Sequence, residues 1–288
     1  MIKDRNGEII VTNEKQNSFL EKLYGTAFGR MILKVLTAPF ISKAAGVFMD
    51  SRLSVPLIKP FIKSGGIDTS QYIMKDFRSY NEFFTRHIKS GMRPIDFEPS
   101  HFISPCDSKL TVYKIGKKSI FRIKGSRYRV KDLLQNDELA KRYEGGYCLI
   151  FRLEVDDYHR YCYIDSGTKS ANTFISGELH TVNPIALERY NIYKRNSREY
   201  TVLHTDNFGD VVQIEVGAMM VGRISNHHEE ADIRRGKEKG KFEFGGSTIV
   251  LLVEKDKIRI DEDILVNSSE NIETIVKYGE KCGQAEPA

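Results

Sequence analysis

The feature that most limits what this chain can fold into lies after Arg93-Pro94, where short β-branched and aromatic runs alternate with Gly, Asp and Asn. The runs are Lys109 to Ile115, Ser119 to Ile123, Tyr147 to Leu153, Tyr161 to Ile164, Ala171 to Ile175, Thr201 to His204, Val211 to Val216, Met219 to Ile224 and Ser247 to Glu254. Each has the length of a strand and is closed by turn-forming residues. A small helix, Val130 to Asn136, interrupts them.

The N-terminal part has a different period. Glu8 to Thr12 reads as a strand or hairpin arm. From Ser18 onward Leu20, Leu23, Tyr24, Ala27, Phe28, Met31, Ile32 and Val35 recur at i, i+3, i+4 spacing, and Pro39 stops that helix. Ser42 to Met49 predicts a second helix, and Val55 to Lys63, broken by Pro56 and Pro60, a third segment. Lys75 to Arg93 predicts one more amphipathic helix with Phe77, Tyr80, Phe83 and Phe84 on its apolar side. The pattern is that of an α+β protein, a helical N-terminal region packed on a β-rich body of short, mostly antiparallel strands.

Charge adds a direction. The 288 residues carry only +5, too little to point to nucleic acid, and 40% hydrophobic content supports a core and excludes disorder. Between Lys15 and Lys63, however, eight basic residues face two acidic ones, which leaves the remainder close to neutral. A basic, apolar-rich helical region suits an anionic membrane surface, although an ordinary helical layer with its lysines in water fits the same residues. The most apolar stretch, Val35 to Met49, is broken by Pro39 and Lys43 and is shorter than the ~18–20 residues of a spanning helix. No apolar signal region opens the chain, so contact with a bilayer is expected to be peripheral. The four cysteines form no C-x-x-C pair and read as reduced thiols in a cytosolic compartment.

Several segments hold reactive residue types. Gly245-Gly246-Ser247 forms a turn between two strand-like runs, which leaves the Gly246 carbonyl open to attack; a glycine hairpin without chemistry is the plainer reading. Ser104-Pro-Cys-Asp-Ser-Lys puts Asp107 at a strand entrance, where an aspartate is also an ordinary turn former. Val155-Asp-Asp-Tyr-His-Arg-Tyr joins an acid, His159 and an arginine at the end of a buried strand, and His180-Thr-Val-Asn-Pro follows. His227-His-Glu-Glu lacks metal-ligand spacing, and no metal site is expected. Arg234-Arg-Gly-Lys-Glu-Lys-Gly-Lys reads as a solvated charged turn that could instead contact lipid phosphate.

Taken in order, Phe83-Phe-Thr-Arg, Arg93-Pro94, Ser104-Pro-Cys-Asp, Asp157-Tyr-His-Arg, His180-Thr-Val-Asn-Pro, Val216-Gly-Ala-Met-Met-Val-Gly and Gly245-Gly-Ser-Thr resemble the pyruvoyl-dependent phosphatidylserine decarboxylases. The basic helical N-terminus is similar to that of the longer bacterial type II members. The resemblance implies residues 1–74 as a membrane-facing region and 75–288 as the decarboxylase domain. It also implies self-cleavage between Gly246 and Ser247, giving a β chain of residues 1–246 and an α chain of residues 247–288 that stay associated. Ser247 would become a covalent pyruvoyl group, with no external cofactor. Phosphatidylserine would bind to it as a Schiff base and lose CO₂, giving phosphatidylethanolamine, with the enzyme on the cytoplasmic side of the cell membrane.

The same resemblance assigns an Asp–His relay to the serine. It matches the acid to Asp107 and offers His159, with His180 as second candidate. Many members carry D-Y-H-R-x-H; here the second histidine is replaced by Cys162, so the base and acid roles stay divided among His159, His180 and Cys162. Two other readings remain: a pyruvoyl decarboxylase of a soluble amino acid, and a non-cleaving lipid-binding relative.

Overall fold

The computed structural model describes residues 1–10, 39–123, 126–177, 192–217, 223–243 and 247–287. The helix expected from Ser18 to Val35 lies outside the described residues, as do His180 and Gly246. Among the described residues no helix is long and apolar enough to cross a membrane.

Three helices make one layer. The first helix, α1 (Pro39–Asp50), begins at Pro39, because a proline at the first helical position has no amide to waste. A 3-10 turn over Arg52–Leu57 leads into α2 (Ile58–Gly65), which Gly66 closes with a φ of +61°. The long helix expected over Lys75 to Arg93 shrinks to α3 (Tyr80–Phe84). Ser79 caps it by accepting from the Glu82 amide at 3.1 Å. Beyond Thr85 the chain turns extended, with the Ile73 amide donating to His87 O at 2.8 Å and the Lys89 amide to Gln71 O at 2.9 Å. Burial decided this: Phe83 and Phe84 are both wholly enclosed, packed with Ile58, Phe61, Phe77 and Val155, and a continued helix could not have carried Arg86 to the Asp156 carbonyl.

The strands follow most of the expected runs. They are β1 (Ile2–Lys3), β2 (Ile9–Ile10), β3 (His101–Ile103), β4 (Ser108–Lys114), β5 (Ile120–Ile123), β6 (Ser126–Arg129), β7 (Tyr147–Leu153), β8 (Arg160–Cys162), β9 (Gly167–Lys169) and β10 (Thr173–Ile175). Then come β11 (Arg198–Thr205), β12 (Gly209–Val216), β13 (Ile224–Asn226), β14 (Ala231–Ile233), β15 (Glu238–Phe242), β16 (Ser247–Val253), β17 (Ile258–Ile260), β18 (Glu273–Val276) and β19 (Lys281–Ala285). Short helices α4 (Val130–Leu134), α5 (Asp137–Arg142), α6 (Ile192–Arg195) and α7 (Glu262–Ser269) lie between them. The expected single helix at Val130 to Asn136 is split, since Gln135 takes a left-handed φ of +51° and Asn136 caps α5.

One large sheet runs β14-β9-β11-β12-β16-β7-β4-β18-β1-β2, with β10 beside β11. The described pairs are antiparallel except β1 with β18. Smaller sheets β13-β15-β8 and β17-β19-β3 accompany it. All seven residues of β16 are buried. Val250 and Leu252 enter one core with Ile150 and Tyr128, whereas Ile249, Leu251 and Val253 enter a second with Phe151, Tyr161 and Phe242. That explains the unbroken apolar run, since a strand covered on both faces has no polar side to show.

The stretch read as a solvated charged turn is instead β15 and its approach. Arg235 is buried, with its Nη2 2.9 Å from Asp165 Oδ1. Lys239 and Glu215 are wholly buried, Nζ donating to Glu215 Oε1 at 2.8 Å and to Asn226 Oδ1 at 2.9 Å. Gln213 Nε2 adds a bond to Glu215 Oε1 at 2.9 Å. Sequence charge density misread this because two of its cations, Arg235 and Lys239, meet partners distant in the chain. In the uncut Ser247→Ala chain, Lys239→Met should cost about 3–5 kcal/mol in urea unfolding by stranding the Glu215 carboxyl, and adding Glu215→Gln should recover much of it.

Candidate active site

Ser247 is the first residue of β16 and pairs with Leu153 of β7; the next pair, Thr248 with Val216, brings Gly217 opposite Ser247 on the other side. Strand alternation turns its side chain to the face shared with Ile249, Leu251 and Val253. That face is covered by the layer holding Tyr161, Cys162 and Phe242. Ser247 is fully buried, and its Oγ has no hydrogen-bond partner among the described residues. A buried hydroxyl left without a partner costs about 1–3 kcal/mol, so its lack of one among the described residues calls for an explanation.

Asp107 sits at the entrance of β4. The pairing of Lys109 with Arg152 and of Ser247 with Leu153 sets Ser108 and Ser247 in one row across the sheet, two strands or roughly 10 Å apart. Asp107 is 2% exposed and tightly held. Arg93 grips it as a fork, Nε at 2.8 Å from Oδ1 and Nη2 at 2.6 Å from Oδ2. The Tyr278 amide donates to Oδ1 at 2.9 Å, and Gln71 Oε1 accepts from Arg93 Nη1 at 3.0 Å. Arg93-Pro94 entered the sequence reading as a motif without a role. Tyr278 lies in a stretch where no element was expected, because its contribution is a backbone amide that no side-chain pattern announces.

His159 follows Leu153 through a tight turn and is fully buried. Its Nδ1 lies 3.0 Å from the Asp157 carbonyl, which only accepts, so Nδ1 carries a proton, and in the neutral ring Nε2 keeps the lone pair. The Phe84 ring lies 4.1 Å from the imidazole, and the Phe242 amide donates to His159 O at 2.9 Å. β15 therefore passes His159 on its way to Ser247. Arg160 Nε donates to Thr85 O at 2.9 Å, so Phe83-Phe-Thr-Arg forms the wall behind the histidine. Lys109 Nζ lies 2.7 Å from Asp157 Oδ2, which also accepts from the Glu154 amide at 2.7 Å.

The structure thus brings Ser247, Asp107 and His159 to one end of the central sheet. Asp107 is engaged by Arg93 and Tyr278, and the His159 Nδ1 proton goes to a main-chain carbonyl. Cys162 is buried, and burial pushes its thiol up to about 12, so it is not a thiolate near neutrality. Among the described residues no cluster of three or more His, Cys, Asp or Glu is placed to hold a metal ion; His227 Nε2 instead lies 2.7 Å from Glu238 Oε1.

A family model described as phosphatidylserine decarboxylase matches residues 80–284, which include all three residues. The phosphatidylserine decarboxylase proenzyme 2 of Clostridium acetobutylicum is 49% identical over 278 residues, 96% of this chain and 95% of its own. The phosphatidylserine decarboxylase proenzyme of Clostridium tetani is 42% identical over 250 residues, 85% and 84% of the two chains. That of Ruminiclostridium cellulolyticum is 42% identical over 270 residues, 92% and 90%.

All four cysteines are buried as free thiols. A disulfide exchange reagent at pH 8 should therefore titrate almost no thiol in the folded protein and four after denaturation. Rapid labelling of Cys162 in the native state would contradict its enclosure.

Proposed function

The chain belongs to the phosphatidylserine decarboxylase family, and from that membership we propose that it is a carboxy-lyase converting phosphatidylserine to phosphatidylethanolamine and CO₂, on a pyruvoyl group made from its own Ser247. The observation that carries the reading is the buried Ser247 hydroxyl at the head of a central strand, without a hydrogen-bond partner among the described residues.

In the proposed maturation, His159 Nε2 takes the proton from Ser247 Oγ, and Oγ adds to the Gly246 carbonyl. The Gly246 C–N bond breaks as the Ser247 nitrogen gains a proton, leaving an ester. Loss of the Ser247 Cα proton with departure of the ester oxygen frees residues 1–246 with a new carboxylate. Water then replaces the enamine nitrogen, which leaves as ammonia. The group so formed supplies an electrophilic carbonyl that takes the substrate amine and accepts the electron pair released as CO₂ departs. His159 suits the return of a proton to the product carbon, and Asp107, gripped by Arg93, is the carboxyl group of the relay. His180 is the second candidate base.

The fragments stay together because β16 pairs with β7 and β12, β18 with β4 and β1, and β19 with β3. A lipid substrate also accounts for the helical layer. It exposes Val47, Phe48, Leu53, Leu57, Ile73 and Met74 beside exposed Arg52, Lys59, Lys63 and Lys75. Apolar side chains rimmed by cations suit an anionic bilayer, and we assign residues 1–74 as the membrane-facing part and 75–288 as the catalytic part, peripheral on the cytoplasmic side.

Denaturing electrophoresis of the purified protein should show two fragments, the smaller comprising residues 247–288, and Ser247→Ala one uncut, inactive chain. An Ala variant that still splits and decarboxylates would refute the serine assignment. Leu53→Asp with Leu57→Asp should cut sedimentation with phosphatidylglycerol vesicles severalfold while leaving chain cleavage intact. Unchanged sedimentation would place the lipid contact elsewhere.

A further inference from the structure

The turn that presents His159 is tied down by a cation that neither the sequence motifs nor the relay assigns. Lys109 is 7% exposed, on β4 two residues after Asp107. Its Nζ lies 2.7 Å from Asp157 Oδ2 and 3.3 Å from Glu154 Oε2, both on the turn between β7 and β8. Burial works against the ammonium charge, but Asp157 and Glu154 outweigh it and hold the Lys109 pKa above its ordinary value. Asp157 in turn closes the loop, accepting the Glu154 amide at 2.7 Å on Oδ2 and donating its own amide to Glu154 O at 3.0 Å. Its carbonyl is the group that meets His159 Nδ1. Arg152 reaches Glu154 Oε1 at 2.8 Å from the end of β7, the strand that leads into the turn; among the described ion pairs of Asp157 the cation is Lys109.

We propose that Lys109 is a positioning residue for His159: through the Asp157 side chain it fixes the Asp157 carbonyl, which sets the imidazole tautomer that leaves Nε2 unprotonated. The register supports the direction of action. Lys109 pairs with Arg152 and Ser247 with Leu153, so the strand ends that carry the cation and the reactive hydroxyl also bracket the start of the turn. A buried ion pair is a costly way to fill space, since desolvation takes several kcal/mol per ion, and it is favoured here because it fixes one orientation of a peptide group. The proposal rests on His159 being the base of the proposed function.

The test uses the full chain with nitrogen-15 histidine. Lys109→Met should slow chain cleavage about ten- to a hundredfold, and the His159 ring nitrogens should move from the fixed Nδ1–H pattern to averaged shifts. Lys109→Arg should restore most of the rate. A folded Lys109→Met that keeps the Nδ1–H tautomer, or cleaves at the parental rate, overturns the proposal, because loss of packing alone would not average the tautomer. If Lys109→Met does not fold, Asp157→Asn, which keeps the shape and weakens the pair, is judged by the same two readouts. His159→Ala separates the layers. Normal cleavage there removes the base assignment, while averaged shifts in Lys109→Met would still show that the lysine acts on the ring.

Discussion

Everything at the reactive end of the molecule depends on β16 being enclosed on both faces between β7 and β12. A one-residue slip of this strand would exchange Ile249 and Leu251 for Val250 and Leu252, sending every side chain into the wrong core. Ser247 is therefore located by the six residues that follow it and not by any bond its hydroxyl makes with the described residues. The strand alone supplies its position.

Around that strand the charges are internal and paired. Arg93 with Asp107, Lys109 with Asp157, Arg152 with Glu273 and Lys239 with Glu215 join segments far apart in the chain, each with at least one member nearly excluded from water. Apolar residues of similar volume would pack as well, but they would not fix orientations. Asp107 is also held from both sides of the proposed cut, by Arg93 upstream and by the Tyr278 amide downstream. The acid is complete only when the two segments are docked.

Fold class and much of the strand inventory were legible from the sequence because β-branched runs such as Tyr147 to Leu153 and Ser247 to Val253 carry their own period. The helix expected over Lys75 to Arg93 was not, because its aromatic spacing is helical while the site requires Phe84 against His159 and an extended return past Tyr72. The last strands, β17 to β19, are short, and Lys281–Ala285 contains a glycine and polar residues that mask its pairing. Asp107, His159 and Ser247 are candidates from motif order, and the fold sets them at one end of the sheet. Their supports could not be named that way: Tyr278 acts through its backbone, and Lys109 and Arg93 through partners that only folding brings near.

The pairing of the last 42 residues has a consequence for the life of the molecule. Their strands are threaded between strands of the preceding part, β16 inside the large sheet and β18 wedged between β4 and β1. While the chain is continuous, those insertions are intramolecular and entropically cheap. After the proposed cut they become an encounter between two molecules, one of them too small to hold a fold alone. The mature form would then outlast its own foldability, persisting because it does not open rather than because it can reassemble.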